Sequence, residues 1–464
     1  MTHQTCDVAV IGAGTAGIAA FRAAEAAGAD AVLIERGPGG TTCARVGCMP
    51  SKLLVAAAAA AHDARRASLF GVAVSGVSID GPAVMARVRA ERDRFVAGVR
   101  DGLDAIPSAK RLAGEARFLD ARTLALGDDR RVAFQAAVIA TGSSPSIPKP
   151  LAQLGDAVLT TDTVFELPDL PASLAVIGGG PVGIEIAQAM ARLGVRVDLF
   201  DTGSGLAGLS EPGLRKDAAA IFSDEMALHL GSELVSAEPV DGGAQLTWAE
   251  ADGARRTGTF ARVLAAAGRP PNVRGLDLAQ AGLRLDENGM PAFDARTLLC
   301  AGAPVLIAGD ANAVRPVLHE ASRQGGIAGR NAAALVAGRA LAAPEPWPAL
   351  AMVFTHPQAA SIGAPFDPEA GDGRVVGGMS FDDQGRARVE GVNRGGIRLW
   401  ADRDGRLLGG EMLGPSCEHL AHLVAHAIGD GRTVDDLLVR PIYHPTVEEG
   451  LASALSDLIQ PLKG

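Results

Sequence analysis

Cysteine is scarce: five in 464 residues cannot make a disulfide framework, and a reducing cytoplasm is the setting that suits such a composition. Long apolar runs are missing too. The Ala-rich stretch Val55–Ala61 falls far short of the roughly 20 residues needed to cross a bilayer. It passes straight into His62, Asp63 and Arg65, so an ordinary helix and no membrane association are expected. A net charge of -10 is spread along the chain without an acidic tail or a basic patch, which argues for solubility and against a nucleic-acid partner. The N-terminus lacks the basic region of an export signal, since Met1–Asp7 leads directly into the apolar run Val8–Ile11, which reads as a strand. Second clusters of Cys or His at ligand spacing are absent, with His3, His62 and His229 isolated, so no metal is expected. Cys6, Cys300 and Cys417 stand alone and read as small core or surface residues.

What the chain has is length and 48% apolar residues, enough for several domains. From Asp7 to Arg36 it reads as strand, tight turn, helix, strand, with Gly12-x-Gly14-x-x-Gly17 in the turn and Glu35 ending the second strand. The first glycine permits the turn, the second lets a pyrophosphate approach the backbone and the third lets helix pack on strand. Glu35 can accept hydrogen bonds from an adenosine ribose. The same design recurs in Leu174–Asp201 with Gly178, Gly180 and Gly183, and Asp201 follows Gly178 at the spacing at which Glu35 follows Gly12. Two such units imply two dinucleotides, and the economical assignment is a tightly held flavin at one and an exchangeable nicotinamide at the other. Asp201 favours NAD, because a carboxylate pairs with a free 2'-hydroxyl and repels a 2'-phosphate, and Thr202–Leu214 holds no Arg or Lys to offset it.

Cys43 and Cys48 lie together after the first unit, in Gly39-Gly-Thr-Thr-Cys-Ala-Arg-Val-Gly-Cys-Met-Pro-Ser-Lys52. A Cys-x4-Cys spacing can bring two sulfurs within bonding distance, and a helix N-terminus lowers a thiol pKa. Two unrelated thiols or half of a metal site remain as alternatives on spacing alone.

Cys43–Lys52 resembles the redox motif of class I pyridine nucleotide-disulfide oxidoreductases, and the resemblance covers essentially the whole chain. It extends to Val138–Gly142, Ala266–Asn272, Val305–Asp310 and the C-terminal His444–Glu449, and is nearest to the dihydrolipoamide dehydrogenases. The fold it implies is α/β, with two Rossmann-like dinucleotide-binding domains arranged as in glutathione reductase and a C-terminal α+β dimerisation domain. The boundaries expected are 1–148 for the first part of the FAD-binding domain, 149–271 for the NAD-binding domain, 272–343 for the second FAD-binding part and 344–464 for dimerisation. Pro-rich linkers at Ser143–Pro150 and Ala343–Pro348 agree with that plan. The runs Gly396–Ala401 and Leu407–Met412 read as a hairpin.

By the same resemblance Cys43 is the interchange thiol that meets substrate and Cys48 the one against the flavin. Lys52 and Glu185 are an ion pair near the flavin, and His444 and Glu449 an acid–base pair that serves the other subunit of a homodimer. The resemblance also places Thr42, Ala116, Thr141, Gly142, Ser143, Asp310, Leu318 and His319 with FAD, and Gly268 with NAD. The activity implied is oxidation of a dithiol, dihydrolipoamide on a lipoyl domain above all, with NAD as acceptor. The alternative is another NAD(P)H-dependent disulfide or electrophile reductase. The tail Asp457–Gly464 has no cysteine pair of the mercuric reductase kind, and Val182 stands where glutathione reductases often carry a tyrosine. Ala44-Arg45, Tyr443 and Glu448 depart from the usual lipoamide pattern close to the substrate path.

Overall fold

The computed structural model describes residues 2–369 and 373–463. The chain divides into two compact units: Met1–Pro50, Ala90–Ser146 and Arg269–Pro346 form one, and Ser51–Arg89, Ile147–Gly268 and Trp347–Gly464 the other.

The first unit is built on a seven-stranded sheet with Thr2–Ile11 near its middle, paired in parallel with Ala31–Glu35 on one side and Arg130–Ile139 on the other. Val8 and Val10 face a core shared with the helices Thr15–Ala26 and Leu318–Val336. Ala9 and Ile11 face the opposite core with Phe118 and Phe134. Burial on both faces is why the end of this strand, Val8–Ile11, is a continuous apolar run rather than an alternation. The two helices meet through glycine: a Cβ on Gly325 or Gly329 would fall 2.2 or 2.1 Å from the carbonyl oxygens of Ala16 and Ala20. That close approach sets the first glycine turn against the segment that carries Asp310.

The second unit repeats the strand–turn–helix–strand design. Ser173–Ile177 pairs in parallel with Arg196–Asp201 in a five-stranded sheet, and the helix Pro181–Arg192 lies between them in the chain. A three-stranded antiparallel sheet, Glu233–Phe260, follows. The C-terminal region is α+β, with a five-stranded antiparallel sheet and the helices Cys417–Gly429 and Glu449–Lys463. Its hairpin runs Gly396–Asp402 to Leu407–Gly414, one and two residues longer at the C-terminal ends of its strands than the sequence suggested.

The Ala-rich stretch Val55–Ala61 forms the ordinary helix expected of it. The helical stretch Thr42–Phe70 is long and apolar enough, by length and composition, to cross a membrane, although the alanine run looked too short. Alanine counts as apolar without adding bulk. In the fold Leu54, Ala58 and Ala61 of its helix Cys48–Arg66 are buried in a protein core.

Candidate functional site

Both glycine turns have the same construction. A Cβ on Gly12 would meet the Ala140 carbonyl oxygen at 2.4 Å, and one on Gly178 the Ala266 carbonyl oxygen at 2.5 Å. Gly17 and Gly183 lie so close to the carbonyls of Gly12 and Gly178 that a Cβ would overlap them, at 1.7 and 1.8 Å. Gly14 and Gly180, by contrast, face open space, with nothing within 4 Å. Each turn therefore packs tightly on the backbone just past a neighbouring strand and leaves room over its middle glycine, as a pyrophosphate requires.

The two acidic residues act on their turns as well. Glu35 accepts from the amides of Ala13 and Gly37, both at 2.7 Å. Asp201 accepts from those of Gly179 at 2.6 Å and Gly203 at 2.7 Å. A ribose would thus meet a carboxylate already oriented by backbone donors.

Three separated segments converge in the first unit. Ser143 Oγ donates to Asp310 at 2.8 Å, Arg269 Nη2 donates to the Ser143 carbonyl at 3.0 Å, and Asn272 Nδ2 donates to the Thr141 carbonyl at 3.2 Å. Asp310 sits in a single turn, Gly309–Asn312, just past the strand Val305–Ile307. Gln324 holds that turn by accepting from Gly309 N at 2.9 Å and Asn312 Nδ2 at 2.8 Å. Thr141 Oγ1 is buried without a hydrogen-bond partner among the described residues. An orphaned buried hydroxyl two residues before the serine that orients the Asp310 carboxylate fits a bound polar group, which FAD would supply through its ribityl and phosphate oxygens. Gly142 adopts φ +67° and Ala116 is buried at the start of a strand. Leu318 and His319 open the helix Leu318–Val336. The sequence reading missed Glu320 next to them, a buried carboxylate paired with Arg315 at 3.0 Å.

Cys43 lies half-buried in the short helix Thr42–Arg45, and Cys48 is exposed at the first residue of Cys48–Arg66. Gly47 lets the loop between them close, since a Cβ there would lie 3.0 Å from the Thr42 carbonyl and 3.3 Å from Cys43 Cα. Buried Arg92 donates to the Arg45 carbonyl of the same loop at 3.3 Å. Neither Gly47 nor Arg92 was singled out from the sequence. A glycine inside a cysteine motif was the available signal for the first, and nothing marked the second.

In the second unit Lys52 Nζ lies 2.7 Å from the buried Glu185 carboxylate, which also accepts from Phe354 N at 2.8 Å. The ammonium sits 4.5 Å from the centre of the Phe354 ring. His444 Nδ1 is 2.9 Å from Glu449 Oε1, and its side chain is 81% exposed. The hydrogen bond from His444, and then that from Thr446 N, hold Glu449 below the usual carboxylate range. The three other cysteines are buried, and burial pushes Cys6 and Cys300 up to about 12, with Cys417 raised further, so none is a reactive thiol at neutral pH. No group of three or more potential metal ligands occurs among the described residues.

Gly268 is left-handed, at φ +128°, just past the strand Arg262–Ala265. Thr202–Leu214 indeed holds no basic residue, yet the Arg215 guanidinium bonds Ser204 Oγ inside that loop. It has no carboxylate within 4 Å among the described residues. A helix begun at Pro212 turns Arg215 back to a loop eleven positions earlier, which sequence spacing does not reveal.

Two glycine-turn units, an oriented polar cluster and a Cys-x4-Cys loop at the start of a helix define a flavin- and nicotinamide-dependent disulfide oxidoreductase. The chain belongs to the pyridine nucleotide-disulphide oxidoreductase family, whose model matches residues 6–326 and whose dimerisation domain matches residues 350–455. It is 31% identical to dihydrolipoyl dehydrogenase of Halobacterium salinarum, over 97% of this chain and 95% of that protein. It is 34% identical to mercuric reductase of Streptomyces lividans, over 97% of this chain and 96% of that one. In fold it resembles the HOCl-induced flavoprotein disulfide reductase RclA of Escherichia coli in its Cu(II) complex, with a TM-score of 0.82 at 21% identity over 98% of this chain and 99% of that one. It also resembles LpdA of Mycobacterium tuberculosis, with a TM-score of 0.81 at 24% identity over 97% of this chain and 99% of that one. The family uses FAD and NAD(P).

Proposed function

We propose that this protein is a dihydrolipoamide dehydrogenase, oxidising dithiols with NAD as acceptor, and that it works as a cytoplasmic homodimer on lipoyl groups. The observation that carries the reading is the His444–Glu449 pair at 2.9 Å. A carboxylate on Nδ1 sets the tautomer that leaves Nε2 as a base, and that nitrogen's ring is exposed, as a group serving a second subunit's substrate must be before association.

His444 Nε2 takes the proton of the first substrate thiol, and the thiolate attacks Cys43 Sγ. The Cys43–Cys48 bond breaks and Cys48 departs as a thiolate. The second substrate sulfur then displaces Cys43, closing the substrate disulfide and leaving the protein pair reduced. The first glycine turn, Thr141–Ser143 and Asp310 would hold FAD, which would supply the two-electron chemistry linking that pair to the nicotinamide. Lys52, paired with the Glu185 carboxylate that Phe354 N holds in place, keeps a positive charge in a fixed position. Asp201 and the second glycine turn receive the NAD adenosine.

The test is NAD reduction by dihydrolipoamide on flavin-loaded protein, with NADPH plus oxidised glutathione and NADPH plus Hg(II) in parallel. Turnover of about 10 per second or more on dihydrolipoamide supports the assignment. Dithiol reduction of the flavin with poor turnover means the redox centre is right and the substrate wrong. Arg215 favours a second reading, an NADPH-dependent reductase of another disulfide or electrophile, which the parallel assays address.

A further inference from the structure

We infer that Glu411 is a positioning residue for the nicotinamide nucleotide, acting from the C-terminal sheet through the loop that shapes the second glycine turn; the inference rests on that turn being the nucleotide's seat. Glu411 lies on the strand Leu407–Gly414 and is 3% exposed. A carboxylate in such a place needs partners, and among the described residues its three donors come from one loop: Ser210 N at 2.9 Å, Ser210 Oγ at 2.5 Å and Glu211 N at 2.9 Å. Hydrogen bonds to a carboxylate are about twice as strong as neutral ones. Glu211 in turn caps the helix Pro212–Ser223 by accepting from Leu214 N at 2.7 Å. It also lies 3.9 Å from Arg398, the residue directly opposite Glu411 across the ladder.

The other end of the same loop touches the glycine turn. Ala207 N donates to the Gly179 carbonyl at 2.9 Å, and a Cβ on Gly179 would lie 2.7 Å from Leu206 Cδ2. Ala207 holds a left-handed φ of +57°, a conformation that a non-glycine residue keeps only where its surroundings impose it. Glu411 anchors one end of this segment and Gly179 meets the other, so the loop braces the turn on which Asp201 also depends, through its bond from Gly179 N. Glu411 itself touches none of the residues assigned to the nucleotide. Its effect is therefore on how the turn is held, and it should appear as a change in nucleotide affinity rather than in thiol chemistry.

The experiment compares Glu411→Gln, Glu411→Ala and Ser210→Ala in the flavin-loaded protein, measuring KM for NADH against kcat, and separately the anaerobic reduction of flavin by dithiol. The expected result is a KM raised about tenfold in Glu411→Ala and about threefold in the other two, with kcat and dithiol reduction changed far less. Ser210→Ala removes one bond only and serves if Glu411→Ala does not fold. A lowered melting temperature with unchanged KM overturns the inference, as does a parallel loss in both half-reactions. Gly180→Val tests the underlying seat: if it leaves KM for NADH unchanged, that reading fails; if it raises KM while the Glu411 and Ser210 variants do not, the Glu411 inference alone fails.

Discussion

Glu449 shows how a single residue's environment sets its usefulness. Its folded pKa is depressed, so the stabilisation from the His444 contact is present above the ordinary carboxylate value and is lost only as pH falls through the lower, folded one. At neutral pH the carboxylate is available to fix the imidazole. Replacing it by Gln keeps the shape and removes the charge, and kcat/KM for dihydrolipoamide should fall about 100-fold, whereas a rate within about twofold of wild type would take the pair out of the proton path. Arg215 carries a second prediction at this scale. Because its guanidinium lies on the loop after Asp201 without a carboxylate partner among the described residues, Arg215→Ala should lower the ratio of NADPH to NADH use about tenfold, read from kcat/KM for each coenzyme. An unchanged ratio would return coenzyme choice to Asp201 alone. The cysteines, the glycines and the His444–Glu449 pair were legible as residues. Arg215, Arg92, Gln324 and Glu411 were not, because each acts on a partner brought close by folding from another part of the chain.

At the scale of the element, the glycine turns separate two kinds of glycine that a motif treats alike. Gly183→Ala places a methyl in the Gly178 carbonyl, so it should destabilise the protein by about 1–3 kcal/mol in denaturant unfolding, with or without nucleotide present. Gly180→Val meets no protein atom at Cβ and should leave stability nearly unchanged while raising KM for NADH. The reverse pattern would mean that the space over Gly180 is not where the pyrophosphate lies. The strands and helices of both units were readable because local pattern and tertiary demand agree in them: apolar runs where both sheet faces are covered, glycine where backbone meets backbone. The dependence of the turn carrying Asp310 on Gln324 had no local signal.

Across the molecule, stability should depend on pH with two limbs of different origin. Burial first, and then Arg192, hold His62 and His356 below the ordinary imidazole value. A histidine kept neutral in the fold costs stability as pH falls below the unfolded value of about 6.5, because the unfolded chain takes up the proton more readily. His229 is opposite. Burial opposes its protonation, but hydrogen bonds to Asp198 and Glu250 outweigh it and raise the pKa. Its contribution is therefore full below about 6.5 and is lost as pH rises through the folded value. Unfolding midpoints measured from pH 5 to 9 should show that alkaline decline in the wild type and a flatter alkaline limb in His229→Gln; an identical limb in both would assign the decline to other groups.

The sequence alone determined the class of this protein: two dinucleotide turns and the α/β design follow from short-range spacing, because a tight turn and a helix face are set by neighbours in the chain, and the cysteine motif adds its resemblance to a known family. Tertiary structure alone decided how those parts are held. The loop braced between Gly179 and Glu411, the Asp310 turn held by Gln324, the guanidinium on Ser204 and the opposed shifts of His62 and His229 all depend on groups far apart in sequence, whose burial and contact exist only once the chain has folded.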